Sequence, residues 1–253
     1  MIGYHILNLP FREFRRGLAL GNLVSMDVPD HLIFFHDAPY GGDYSSREAL
    51  QAAAVSDGFK GFASDAVLGG RGSMACLWGS LQIVRKIAEE GFEYGYYTQD
   101  DFLLLQRFGV MCQVTQILSH DSRYVDDSEF LFLQLTVNPE LSTDPSRNPW
   151  LFEEFPGLIC KGIGGSGDSG ILMSQPGARY LLERFEKHPR PHFYHLFDDV
   201  PPEVKGVYSI SDVKDWIDGV PDFWYEGVYE DTSGEVQDRS AVDALDAEAE
   251  VSG

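Results

Sequence analysis

Cysteine is scarce in this chain, with three residues in 253, Cys76, Cys112 and Cys160. An odd number at wide spacing fits neither a disulfide framework nor a zinc site. The plain reading is buried free thiols in a reducing compartment. Long apolar runs are missing as well. No stretch reaches the length of a bilayer span, and no basic segment leads into an apolar export core, so a cytoplasmic protein with no transmembrane segment is expected. Positive charge is also in short supply: 19 Lys and Arg stand against 40 Asp and Glu, for a net charge of −21. Such a surface repels phosphate backbones and anionic bilayers at long range, which makes nucleic acid an unlikely partner. The glycine-rich run from Gly162 to Asp168 lacks the Gly-Lys-Ser/Thr of a phosphate loop.

What is present is enough for a large core. Apolar residues make up 43% of the chain and aromatic residues 13%. The acidity is uneven. Nine acids and one base, Arg239, lie between Glu226 and the C-terminus, and few large apolar groups follow Thr232. Residues 232–253 therefore read as an acidic, disordered tail behind a folded unit of residues 1–231. The opening runs the other way, with Arg12, Arg15 and Arg16 around Glu13. That cluster is either a solvated basic turn or a receiver for an anionic ligand.

Hydrophobic patterning places strands at Tyr4–Leu9, His31–His36, Tyr94–Gln99, Phe130–Val137, Ile171–Ser174 and Val207–Ile210. Ser45 or Ser46 is placed to cap a helix through Ala54. Apolar residues at three- and four-residue spacing (Leu77, Leu81, Val84, Ile87) make Ser73–Gly91 a long helix, and Pro176 opens another through Phe185. The segment from Asn138 to Pro156, with four prolines, reads as a long loop. Strands alternating with helices indicate an α/β class with a mostly parallel sheet flanked by helices, whose ligands sit outside the strand carboxyl ends.

The run Tyr94-Gly-Tyr-Tyr-Thr-Gln-Asp-Asp-Phe102 carries the most chemistry. Two adjacent carboxylates close an aromatic strand. Buried acids are costly unless paired or bound to a cation. Asp100 and Asp101 are thus either a solvated turn or hard oxygen ligands for Mg²⁺ or Mn²⁺ carrying a phosphate.

Four segments in order resemble glycosyltransferase family 25, the lipopolysaccharide and procollagen sugar transferases. Ile6-Leu-Asn-Leu9 with Arg12 and Arg15 is similar to the family's I-N-L-x-x-R-x-x-R opening. Ala75-Cys-Leu-Trp-Gly-Ser-Leu81 resembles G-C-x-x-S-H-L, Glu93 to Asp101 resembles E-Y-x-L-I-L-E-D-D, and Gly170 to Ala178 with Leu181-Leu182 resembles G-Y-L-I-S-x-x-G-A-x-x-L-L. The chain departs from the pattern at Gly79-Ser80, where the family has Ser-His, and at Gln99, where it has Glu.

The resemblance implies a single GT-A-like (Rossmann-like) domain. It implies a metal-dependent, inverting transfer of a sugar from a nucleotide sugar, a UDP-sugar above all, to a hydroxyl of a glycan, a lipid-linked glycan or a protein. Asp101 would be the direct ligand of Mn²⁺ or Mg²⁺ and Asp100 a second one, with Gln99 on the ribose or a metal-bound water. Asn8 would bond the nucleotide, Arg12, Arg15 and Arg71 the diphosphate, and Asp37 the uracil or ribose. Asp168 is the first choice of general base, with Asp198 and Asp199 behind it. His192 and His195 lie near the place of a C-terminal metal ligand, although Pro189 and Pro191 argue against a regular helix there. Trp150, Trp216, Trp224 and Tyr225 are either a sugar platform or core. Two alternatives stand beside this reading: a GT-A-shaped binding or assembly protein with a degraded site, and a nucleotidyltransferase. The latter would need a glycine-rich basic loop near the first strand, which is not seen.

Overall fold

The computed structural model describes residues 1–89, 91–104, 107–120, 130–135, 152–155, 159–161, 170–198, 200–201, 204, 206–210 and 217–219. The chain opens with β1 (Ile2–Asn8) and α1 (Glu13–Ser25), followed by β2 (Ile33–Asp37), α2 (Arg47–Ser56), α3 (Arg71–Glu89) and β3 (Tyr94–Gln99). Next come β4 (Phe102–Leu104), α4 (Phe108–His120), β5 (Phe132–Gln134), β6 (Phe152–Phe155), β7 (Ile159–Lys161) and β8 (Ile171–Ser174). The order closes with α5 (Gln175–Lys187), α6 (His195–Asp198), β9 (Val207–Ile210) and β10 (Ile217–Gly219).

Eight strands form one sheet in the order β2-β1-β3-β8-β5-β9-β7-β6, and β10 pairs with β4 in a separate ribbon. The class is α/β, as expected, but the sheet is mixed and not the mostly parallel one expected. β2, β1 and β3 run parallel, whereas β8 is antiparallel to both of its neighbours, and β7 is antiparallel to both β9 and β6. Alternation of elements along the sequence reports adjacency and says little about strand direction. A strand inserted between two others can run either way if the connection is long enough.

All seven residues of β1 are buried, because helices cover both faces of the sheet. Alternation sorts the side chains. Ile2, Tyr4 and Ile6 pack with Tyr94, Tyr96, Leu133 and Leu172 on one face, beneath Leu23 of α1 and Met111 and Val114 of α4. Leu7, Tyr97, Phe132, Ile171 and Met173 face the other way, against α2, α3 and α5. Each such fully buried side chain contributes roughly 1.5–3 kcal/mol.

Local signals explain most boundaries. The Ser46 hydroxyl accepts from Ala49 N at 3.2 Å and starts α2. Ser174 Oγ accepts from Gly177 N at 3.1 Å and starts α5, with Pro176 in the first turn. The helix α3 packs hard on β1 at Gly79, where an added Cβ would lie 2.9 Å from Leu7 Cδ1 and 3.0 Å from Pro39 Cδ. Close approach therefore accounts for glycine at this position. The next residue, Ser80, is fully buried and meets the Tyr97 hydroxyl at 2.7 Å. The Gly79-Ser80 pair is thus a packing device between α3 and the sheet.

Candidate functional site

Parallel strands deliver their carboxyl ends to one edge. Asn8 ends β1 opposite Asp37 of β2, and Leu7 lies opposite Gln99 at the end of β3. At this edge the chain leaves the large sheet: Asp100 and Asp101 form the turn between β3 and β4. Asp100 N still donates to Leu7 O at 3.1 Å, which fixes the first carboxylate beside β1.

The two acids are held from β1 and α1. Asn8 Nδ2 donates to Asp100 Oδ2 at 2.6 Å, and the same amide lies 3.4 Å from Arg12 O. Arg15 Nη1 lies 3.5 Å from Asp100 Oδ1 and 3.8 Å from Asp101 Oδ2, so one guanidinium spans both carboxylates. Asp100 is 7% exposed, Arg15 15% and Asp101 24%. The basic opening is therefore no solvated turn. It is the start of α1, and it sets one cation against the acid pair.

Beside this cluster lies a cleft of about 170 Å³ lined by Leu7, Leu9, Arg12, Tyr40, Gly72, Cys76, Gln99 and Asp100, among others. It is small for a whole sugar nucleotide and large enough for part of one. Gly72 belongs to the first turn of α3, whose early N–H groups lack helical partners and carry the positive end of the helix dipole. Arg12 adds a full positive charge, so one wall of the cleft suits an anion and the Gln99–Asp100 wall suits donors or cations. The loop after β2 shapes the mouth. Gly41 lies against the α3 start, where a Cβ would come within 2.6 Å of Arg71 O. Tyr40 meets Phe11 edge to face, with ring centroids 5.2 Å apart.

Of the residues expected at the site, Asn8, Arg12, Arg15, Gln99, Asp100 and Asp101 come together. Arg71 is the first residue of α3, and its Nη1 donates to Tyr44 O at 2.6 Å, bracing the loop after β2. Asp37 lines a different groove, between β2 and α3, with His36, Gln82, Arg85, Lys86 and Glu89. In that region His5 Nδ1 and His36 Nε2 are 3.0 Å apart, one ring donating to the other according to tautomer. Burial, the neighbouring His36 and Lys86 push His5 down to about 3. Burial and Lys86 take His36 down to about 4 against the opposing pull of Asp37.

Asp168, Asp199, Trp150, Trp216, Trp224 and Tyr225 lie outside the described residues, as does the tail at 232–253. His192 sits in a bend and His195 opens α6, with ring centroids 5.2 Å apart. Among the described residues no three His, Cys, Asp or Glu side chains gather as a metal cage. Sequence reasoning missed Tyr40 and Cys76 as cleft residues. The Pro39-Tyr-Gly-Gly42 turn after a strand was the available signal for Tyr40, and position one turn into α3 for Cys76.

The donor chemistry at the acid pair fits a hard divalent cation. It offers two carboxylates and an amide oxygen, Asn8 Oδ1, which is buried and accepts no hydrogen bond among the described residues. Mg²⁺ and Mn²⁺ are commonly held by one or two carboxylates, with phosphate and water completing the shell. No protein-family model matches the chain, and no curated protein matches it. Among the described residues no helix is long and apolar enough to cross a membrane.

Proposed function

We propose that this chain is a metal-dependent glycosyltransferase of GT-A type that moves a sugar from a nucleotide sugar, with a UDP-sugar as the expected donor, to a hydroxyl acceptor. The observation that carries the reading is the Asp100–Asp101 turn at the carboxyl edge of a three-stranded parallel unit, beside a cleft with Arg12 and the start of α3. An α/β sheet binds ligands at that edge, and the resemblance of four segments in order names the chemistry.

In this reading Arg12 and the N–H groups of α3 receive the diphosphate. Gln99 bonds the ribose, and Asp101, with Asp100 and Asn8, holds Mn²⁺ or Mg²⁺. When bound, the cation neutralises charge developing on the leaving diphosphate. Asp168 is proposed as general base. It takes the acceptor hydroxyl proton as the oxygen bonds to the anomeric carbon, and the carbon–oxygen bond to the diphosphate breaks with its electron pair leaving on the phosphate. β8, which follows Asp168, begins at Ile171 opposite Tyr97 of β3, close to the acid-pair edge.

A thermal-shift panel of UDP, GDP, CMP and their sugars, with and without Mn²⁺, tests the proposal. A cation-dependent rise with one nucleoside diphosphate is expected, together with loss of transfer in Asp101→Asn. Retained turnover in that variant sinks the metal assignment. Gln99 in place of an acid, and Arg15 already seated on the pair, favour the second reading of a binding or assembly protein with a degraded site. A panel with no shift for any nucleotide would select it.

A further inference from the structure

Helix α1 turns an apolar face to solvent. Its polar side chains serve the interior: Arg15 reaches the acid pair, and Asn22 exchanges two hydrogen bonds of 2.9 Å with the backbone of Leu104. Of its residues only Ala19 and Leu23 are fully buried. Phe14, Leu20 and Val24 lie on the outward face, 41–48% exposed. Gly17 and Gly21 stand between them, where an added Cβ would meet nothing within 4 Å. A surface helix ordinarily shows water the opposite pattern. Phe11, just ahead of the helix and 49% exposed, continues the face to the mouth of the cleft, where its ring meets Tyr40. Of the six large apolar side chains exposed among the described residues, four fall on this one segment. Apolar exposure gathered in one place marks a contact surface.

Two occupants differ in what they require. A second copy would have to match the face. From Phe14 to Val24 it is about 16 Å long and 10 Å wide, far short of the roughly 800 Å² per partner that a stable dimer buries. A bilayer needs no matching surface, and apolar side chains beside arginine suit the boundary between headgroups and acyl chains. Local charge agrees. Residues 11–26 hold Arg12, Arg15 and Arg16 against Glu13, in a chain of net charge −21. Arg16 is exposed on the flank of the helix, with its guanidinium 4.7 Å from the Phe35 ring. The acids elsewhere oppose approach, but salt screens them beyond about 8 Å, so the charge beside the face decides.

We propose that the outward face of α1, with Phe11, docks on an anionic phospholipid bilayer. Phe11, Phe14, Leu20 and Val24 meet the acyl boundary, and Arg16 lies among the headgroup phosphates. The cleft then opens beside the membrane surface. Resting on the glycosyltransferase reading above, that position selects a lipid-linked glycan as the acceptor.

The test is co-sedimentation of the full chain with vesicles of phosphatidylcholine, with and without about one-third phosphatidylglycerol. The parent is expected to bind the anionic vesicles and to bind the neutral ones more weakly. Phe14→Ser/Val24→Ser is expected to lose at least about tenfold in partitioning, since two apolar groups leave the acyl boundary. Leu20→Glu serves if the double variant does not fold, with a loss of the same order. Arg16→Ala is expected to lose about fivefold, the share of one arginine near an anionic surface. No binding of the parent to anionic vesicles overturns the proposal, as does a double variant that binds like the parent. A parent dimer in sedimentation velocity that the double variant dissolves assigns the face to a second copy and overturns it too. Vesicle binding requires neither nucleotide nor Mn²⁺. If the parent binds vesicles and no nucleotide shifts its melting temperature, the docking face stands, and the transferase reading falls together with the lipid-linked acceptor.

Discussion

Two Asp–Arg clusters in this protein use the same side-chain chemistry and hold it in opposite ways. Asp57, which caps the C-terminus of α2, accepts from Trp78 Nε1, Gln82 Nε2 and Arg85 Nη2, each at 2.8 Å, while Arg85 Nη1 donates to its carbonyl at 2.6 Å. All three partners lie along one face of α3. Burial pushes the Asp57 carboxyl up, but the bonds from Arg85, Gln82 and Trp78 outweigh it and hold the group below its ordinary range. At the Asp100–Asp101 pair, Asp100 accepts from Asn8 at 2.6 Å and Arg15 lies 3.5 and 3.8 Å from the two acids. The first arrangement is a staple between two helices, away from the cleft. The second lies at the carboxyl edge of the parallel strands, with a cleft alongside. Residue type is the same in the two clusters; position against the cleft is what differs.

That contrast makes graded predictions. The largest stability effect belongs to Asp57→Ala. It strands three donors and is expected to cost about 3 kcal/mol in urea unfolding. A value under about 1 kcal/mol would mean the staple is ornamental. A loss of similar size comes from acid. His5 and His36 take up protons only near 3 and 4 in the folded chain, whereas an unfolded histidine does so near 6.5. Between those values the unfolded state binds more protons, so stability falls as pH drops from 7 to 5. A His5→Leu/His36→Leu variant is expected to flatten that slope, and an unchanged slope would place the pH dependence elsewhere. Trp78→Phe removes one of the three donors to Asp57 and keeps the ring packing, for a loss of about 1 kcal/mol. Asp101→Asn is expected to move stability by less than about 0.5 kcal/mol, since the amide keeps the shape of the carboxylate and the ion pair with Arg15 stands at 3.8 Å. Gln99→Glu is expected to leave stability alike unmoved and to tighten Mn²⁺ binding, because it adds a carboxylate to the shell.

Much of the site was legible because it lies on strands and turns with strong local signals. The β3 run announced both the strand and its acidic end, and Ser46 caps one helix and Pro176 opens another, as expected. The helix α1 was missed. Its N-cap is Arg12, with no side-chain capping bond, so a basic turn was the natural reading of Arg12 to Arg16. That omission hid the one contact that explains why Arg15 and the acid pair belong together, 85 residues apart in sequence. The helix α4 was missed in the same way. It follows the short strand β4 within one apolar stretch and has no acid in its first turn. Of the strand foreseen at Phe130–Val137, Phe132–Gln134 pair with β8 and β9, and residues 136–137 lie outside the described residues. The direction of β8 could not be read at all. Direction depends on where long connections return, which apolar periodicity does not encode.

The central claim is that Asp101 holds a cation for a nucleoside diphosphate while Asp57 holds the fold. It is tested most directly by the rise in melting temperature with Mn²⁺ and UDP in three proteins: the parent, Asp101→Asn and Asp57→Asn. A rise on the order of 5 °C is expected in the parent at saturating ligand, the same rise from a lower starting point in Asp57→Asn, and none in Asp101→Asn. An undiminished rise in Asp101→Asn would contradict the claim.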